Sequence, residues 1–336
     1  LSEGAARALS RHEEPLSLVR LEGLARGWVQ ISPGHAALLL RKRGNLCLDG
    51  VKELSEESAR ALSRHEAGIS LNALASLSDG AAICLAAHRG GLSLGGLRAL
   101  TESTAMALGK HRGILLLDGL EELSPALAGL LGSHRGPISL NGLRGLTADM
   151  ARGLCSNRGN ISLKGLRGLG VAEAVMLGGV RCHLALDGLV EVANATSELP
   201  DSFAIALSGS RMALRLDGVK GLSDLAAREL GRHRGSLSLN GLAGLSEKAA
   251  ALLGTHPGPV SLDGLESLTE GQAAGLAGHG VHLSLEGLAK ISDEAARLLA
   301  GHEAPISCRS LLRQARGAGP VGEGLASLLR RDPRYR

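Results

Sequence analysis

The chain has 336 residues and a net charge of +4, yet only three aromatic residues: Trp28, Phe203 and Tyr335. So few aromatics exclude an ordinary globular core of this size, which draws much of its buried area from such side chains. The charge is also unevenly placed: seven arginines against two acids in residues 306–336 give +5, so residues 1–305 carry −1, which argues against nucleic-acid binding by the body of the chain.

Residues 1–15 have the pattern of a helix, with Ala5, Ala6, Leu9 and then His12. No signal-peptide pattern opens the chain, and because it begins inside a helix pattern at Leu1, an upstream segment is expected to be missing. A strand is predicted between Leu16 and Leu24, followed by a connection over 25–31 that is longer than usual and contains Trp28. The helix pattern resumes at Ser32 with Ala36 and Leu39. From there one unit is written again and again. Its apolar openings fall at Leu46, Ile69, Leu92, Leu115, Ile138, Ile161, Leu184, Leu214, Leu237, Val260, Leu283 and Ile306, and every step is 23 residues except the 30 from Leu184 to Leu214. A fixed period of this size predicts a solenoid rather than two or three globular domains. The long step is an insertion over Val190–Leu199, with Phe203 four residues beyond it. After Cys308 the pattern stops, Gly317–Pro320 reads as a break, and Val321–Arg331 could form one last amphipathic turn or two.

Each column of the repeat has a physical reading. In LSLNGL from Leu237, Leu237 and Leu239 face inward and Ser238 and Asn240 outward, the alternation of a strand. Ser or Thr at 55, 78, 101, 124, 147, 223, 246, 269 and 292 predicts a helix N-cap, and acids follow it at the positive end of the helix. The Ala column through 59, 82, 105 and 128 lets a helix of about nine or ten residues approach the strand layer. Gly at 90, 113, 136, 159, 235 and 258 is expected to end that helix as a C′ residue. No run of 18 apolar residues occurs, so no membrane-spanning helix is expected. The five cysteines, 47, 84, 155, 182 and 308, are odd in number and lack metal or disulfide spacing; they read as small core or face residues.

The pattern L-x-L-x-G-L-x-x-L-S-x-x-x-A-x-x-L resembles the leucine-rich repeat family, and within it the cysteine-containing subtype. Leu242 stands where that subtype has Cys, and Leu245-Ser246 where it has Ile-Thr. The unit here is shorter than the subtype's, and the family's leading Leu is replaced by Arg89, Arg112, Arg135, Arg158, Arg181, Arg211 and Arg234. The resemblance implies a right-handed α/β solenoid, with parallel strands on the concave side and helices on the convex side, and a role in binding other macromolecules. On this reading residues 1–308 form the solenoid, about twelve repeats with insertions near 16–31 and 190–199, and 309–336 form a basic C-terminal tail or cap.

Two columns tempt a chemical reading. His recurs at 12, 65, 88, 111, 134, 233, 256, 279 and 302 and could form a metal ladder. Recurrence in every ordinary repeat fits better a last-turn residue that bonds the carbonyls of the helix C-terminus. Asp or Asn recurs beside Ser along the strands, and a column repeated on every strand marks no single acid–base site; a side-chain ladder or a solvated face is expected. Because Ser and Asp leave the strand while His sits at the helix end, no Ser-His-Asp relay is expected. Neither a P-loop, H-E-x-x-H nor C-x-x-C occurs. The sequence therefore predicts a non-catalytic recognition or scaffold module, with no catalytic residues, metal or cofactor. A structural or self-assembling surface protein is the alternative. A protein partner is expected, and nucleic acid is not, except through the Arg-rich tail, which itself reads as solvated and disordered. The partner-binding residues are expected where the repeat is broken: Trp28 in the first insertion, and Val190, Glu191 and Asn194 with Phe203 at the second.

Overall fold

The repeat folds as its columns dictate. The computed structural model describes residues 30–40, 44–178, 184–186, 198–210, 213–317 and 322–333. Two compact units make up the chain, Leu1–Leu163 and Lys164–Arg336. In the first, two-residue strands at Leu46–Cys47, Ile69–Ser70, Leu92–Ser93, Leu115–Leu116, Ile138–Ser139 and Ile161–Ser162 pair in parallel, each with the next. The register is the sequence period: Leu46 lies opposite Ile69, and Leu115 opposite Ile138. In the second unit Leu184 lies opposite Leu214 across the 30-residue step, and the pairing then continues through Leu237, Val260, Leu283 and Ile306. A second, short parallel pairing sets Leu199 opposite Leu222. The 23-residue register is thus restored by Glu198, and the last two residues of the predicted insertion belong to the ordinary repeat.

Between successive strands runs one helix. All nine predicted caps are in place: Ser55, Ser78, Thr101, Ser124, Thr147, Ser223, Ser246, Thr269 and Ser292 each accept the backbone N–H three residues on. The helices these residues cap are seven or eight residues long, shorter than predicted. Their last turn tightens into i→i−3 bonds, as where His111 N–H donates to Leu108 and His134 N–H to Leu131. The inward rows are fully buried. Leu92, Leu94 and Leu97 of one repeat, with Ala105 and Leu108 of the next helix, are at most 1% exposed. A Leu so placed is worth about 1.5–3 kcal/mol over an exposed one, and the rows gain that burial only by stacking repeat on repeat.

Glycine serves this stacking in a way the sequence did not suggest. Gly44 alone among the described glycines has a positive φ, and the helices end in right-handed residues such as Ala87 and Lys110. The glycine after the His column is therefore not a left-handed C′ residue. A Cβ at Gly113 would run into the carbonyl oxygen of Gly90 one repeat back. Close approach of consecutive turns, not backbone freedom, demands glycine there.

The end of the chain is also ordered where it is described. Helices span Arg309–Gly317 and Glu323–Leu329, in place of the disorder expected of the Arg-rich tail, and the second packs on Asp293–Ala300. In the last strand, Ile306 N–H donates to the Arg331 carbonyl and Cys308 N–H to the buried Asp332 carboxylate at 2.7 Å. Those two donors would otherwise bond a further repeat, so the C-terminus closes an exposed strand edge.

Candidate functional site

The outward residues of the strands are occupied with one another. Asp118 shows the arrangement: its Oδ1 accepts Ser139 Oγ–H at 2.5 Å and the Asn141 N–H at 2.9 Å, both from the next repeat. Asp49, Asn72, Asp217, Asn240 and Asp263 receive the corresponding backbone N–H at 2.8–2.9 Å. Asp and Asn are interchangeable because the ladder needs an acceptor oxygen, not a charge. Burial works against ionisation of Asp217, but the bonds from Ser238, Arg215 and Asn240 outweigh it and hold this carboxyl below its ordinary range. A parallel ladder joins the helix starts, where Thr101 donates to Asp79 at 2.7 Å and Ser246 to Asp224 at 2.6 Å. These hydroxyl bonds lower both carboxyl pKa values.

The His column follows the helix end directly, and its rings turn inside the protein. His65, His88, His111 and His134 stack in the first unit with centroids 6.5, 6.2 and 6.0 Å apart, and His233, His256, His279 and His302 in the second at 5.9, 6.3 and 5.7 Å. None is more than 5% exposed. Burial pushes the pKa of His88, His111, His134 and His302 down, and that of His256 to about 4. The predicted bonding to backbone carbonyls is seen in part, since His256, His279 and His302 meet the carbonyl oxygens of Gly258, Val281 and Ala304 at 2.7–2.8 Å, but these carbonyls lie in the turn after the helix and the rings are core residues. Asn157 and Ser210 fill the same column, also buried. Among the described residues no three His, Cys, Asp or Glu side chains converge as a metal site.

One pairing was missed by sequence reasoning. His282 lies outside the His column, two residues after a Gly, and its Nε2 is 3.0 Å from Ser307 Oγ. Among the described residues no carboxylate hydrogen-bonds to His282, so nothing orients it as a base.

Of the predicted contact residues, Trp28, Val190, Glu191 and Asn194 lie outside the described residues. Phe203 is 1% exposed, the largest fully buried side chain among the described residues, in the first turn of helix Asp201–Ser208. Its column holds the buried Ser58, Ala81, Thr104, Ala226 and Ala249, but also the half-buried Leu127, Glu173 and Gln272. The ring packs inward and is not a surface contact.

What the first unit does present is a hollow of roughly 250 Å³ on its strand face. It is lined by Leu46, Ile69, Leu92, Ile114 and Leu116, with Gly68 and Gly91 as its floor. Ile114, 50% exposed, forms one wall, and its column counterparts are Gly91 and Gly68 in the two preceding repeats. The depression therefore arises where two repeats lack a side chain that the third supplies. It is shallow, apolar, and free of titratable groups apart from Cys47 at its end.

No family model matches the sequence, and no curated protein matches it. Solved structures with a similar fold include a chain of the Toll–Spatzle complex of Drosophila, 14% identical, with a TM-score of 0.52 and 83% of this chain covered. An internalin of Listeria monocytogenes (12% identity, 97% of this chain and 92% of that one, TM-score 0.47) and a leucine-rich-repeat protein of Leptospira interrogans (13%, 91% and 98%, 0.38) are also similar. The present chain spans 41% of the length of the Toll–Spatzle chain. That likeness and the strand–helix register show the fold, an α/β solenoid of leucine-rich-repeat type.

Proposed function

We propose that the chain is a non-catalytic recognition module that binds a protein partner on the strand face of its first unit. The observation that carries this reading is the hollow from Leu46 to Leu116. Of its polar lining, Ser70 and Ser93 are bonded to Asn72 beside it and Asn45 accepts the Gly68 N–H, so what the face mainly offers a partner is apolar area and shape. The similar Drosophila structure is that of a complex of Toll with Spatzle, in keeping with a binding role for this fold. Trp28, Val190, Glu191 and Asn194 belong to the same proposal as a second contact, because insertions break an otherwise uniform surface. Photo-cross-linking tests it. A photoreactive residue at Ile114 should capture a protein partner, capture should be lost in a Leu116→Asp background of unchanged melting temperature, and a probe at Thr255 should capture none. Equal capture from 114 and 255 would overturn the assignment.

Self-assembly is the second reading, and one observation favours it. On the helix side of the first unit Ile83 and Met106 are 60% and 48% exposed and line a second hollow with Ala86, Ala87 and Ala107. Sedimentation velocity across a hundredfold range of concentration distinguishes the two: a constant sedimentation coefficient excludes self-assembly through this patch.

A further inference from the structure

Of the arginines at the position of the family's leading Leu, four lie among the described residues of the first unit. Arg89, Arg112, Arg135 and Arg158 stand at the same position of four consecutive repeats, all exposed. None of them makes an ion pair or side-chain hydrogen bond among the described residues. Other arginines of the same unit are neutralised: Arg98 and Arg144 by Glu121 at 3.3 and 3.1 Å, and Arg152 by Asp149 at 2.6 Å. The acids between 68 and 163 are Asp79, Glu102, Asp118, Glu121, Glu122 and Asp149, and each lies after a strand or in the first turn of a helix. The edge where helix returns to strand therefore holds Lys110 and the four arginines, and the acid of the same column, Glu66, stands one repeat before Arg89 at the start of the row and makes no ion pair among the described residues. A helix C-terminus tolerates a cation, but that accounts for neither the choice of Arg each time nor the unused guanidinium donors.

The spacing of the row is set by the residues just before it. His88, His111 and His134 are stacked 6.2 and 6.0 Å apart, which gives the repeat-to-repeat distance one residue before each arginine. In an extended peptide alternate residues lie about 6.4–6.8 Å apart on one face, within the reach of a flexible side chain. Each guanidinium presents a planar fork that matches a carboxylate. The row also borders the hollow described above, since Arg89 and Arg112 precede its lining residues Gly91 and Ile114 by two positions.

We propose that this edge binds an extended acidic segment of a protein partner, one with carboxylates at alternate residues, laid along the rim of the strand face. The proposal rests on the recognition reading and names the partner's chemistry. A single-stranded nucleic acid is the lesser fit, because it is held by stacking on aromatic side chains as well as by charge, and no Phe, Tyr or Trp occurs between residues 29 and 202.

Fluorescence anisotropy of the full chain provides the test, with a labelled peptide of alternating Asp and Ser and a block peptide of the same composition. The wild-type protein should bind the alternating peptide more tightly than the block peptide, with affinity falling as salt rises. Arg112→Gln/Arg135→Gln should weaken it roughly tenfold, and Arg112→Lys/Arg135→Lys, which keeps the charge and loses the fork, by less. Arg98→Gln/Arg144→Gln, on the opposite edge, should bind as wild type does. Equal binding by wild type and Arg112→Gln/Arg135→Gln overturns the proposal, as does tighter binding of an oligothymidylate or of heparin at equal charge. Loss of peptide binding alongside intact cross-linking from Ile114 would overturn this inference alone. Loss of that cross-linking with peptide binding intact would overturn the strand-face reading alone.

Discussion

The imidazole of His134 lies flat against that of His111, with centroids 6.0 Å apart and planes within 5°, and neither side chain is more than 1% exposed. Protonating one such ring puts a charge in the core beside its neighbours. An unfolded imidazole titrates near 6.5, and burial holds His88, His111, His134 and His302 below that, with His256 at about 4. Between these values the unfolded chain binds more protons than the folded one. The contribution of these five histidines is therefore full above about pH 6.5 and is lost as pH falls toward 4. The lowered carboxyls, Asp79, Asp217 and Asp224, act only further down, below about 3.8. Melting temperatures from pH 7.5 to 4 should fall steadily through this window, and less in a His111→Asn/His134→Asn variant. A flat profile down to pH 4.5 would show that the rings do not titrate as buried bases.

Truncation separates the two readings of this column. A terminal-turn contact is worth about 0.3–1 kcal/mol, and on that basis His134→Ala would be mild. The structure gives His134 no exposure at all, so His134→Ala should cost about 2–4 kcal/mol, near the 2–5 kcal/mol for Leu131→Ala. His134→Asn should cost less, because Asn157 fills the same column and its Oδ1 accepts the Gly159 N–H at 2.7 Å. Urea melts of the three variants decide the order.

The strands, the caps and the 23-residue register were legible because each rests on local chemistry: a hydroxyl three residues before its N–H, or an apolar residue at every second position. Depth was not. The His and Phe203 were misplaced because recurrence reveals that a column is structural without saying which way it points. Phe203 could not be placed from its column, which holds Ala81 and Ala249 but also Glu173 and Gln272. The surface hollow and the unpaired arginine row depend on which neighbour stands one repeat away, and a column has to be read across repeats to show either.

Glycine offers a sharper test of what the repeat contact demands. Gly113→Ala should destabilise by about 1–3 kcal/mol, the range for overpacking, since its Cβ meets the Gly90 carbonyl. Gly129, inside helix Pro125–Gly132, has open space where a Cβ would stand, with no atom within 4 Å. Gly129→Ala should therefore stabilise by about 0.5–1 kcal/mol through helix propensity alone. Opposite signs in thermal melts would confirm that the first glycine is there for contact and not for flexibility.

The Asp/Asn ladder predicts a substitution without effect. Asp118→Asn keeps the acceptor for Ser139 and Asn141, as Asn72 and Asn240 do in their repeats, and should change stability by less than about 0.5 kcal/mol. Asp118→Ala leaves both donors without it and should cost about 1–3 kcal/mol. If Asp118→Asn proved as damaging as Asp118→Ala, the carboxylate charge would matter in itself, and the strand face would have to be reconsidered as an electrostatic site.

The second insertion can be removed without disturbing the repeat. Leu184 pairs with Leu214 before it, and Leu199 with Leu222 after it, so the seven extra residues enter and leave between two intact pairings. In a stacked repeat protein, stability resides in neighbour contacts, and those on either side are preserved when the chain between 187 and 197 is cut to the standard connection. The shortened protein should unfold cooperatively, with a melting temperature within a few degrees of wild type (about 2–4 °C per kcal/mol for domains of this size). Partner capture from Ile114 should weaken if Val190, Glu191 and Asn194 make the proposed second contact. A shortened protein that folds and binds with unchanged affinity would remove the insertion from the interface and leave the strand face, with its arginine rim, as the whole of it.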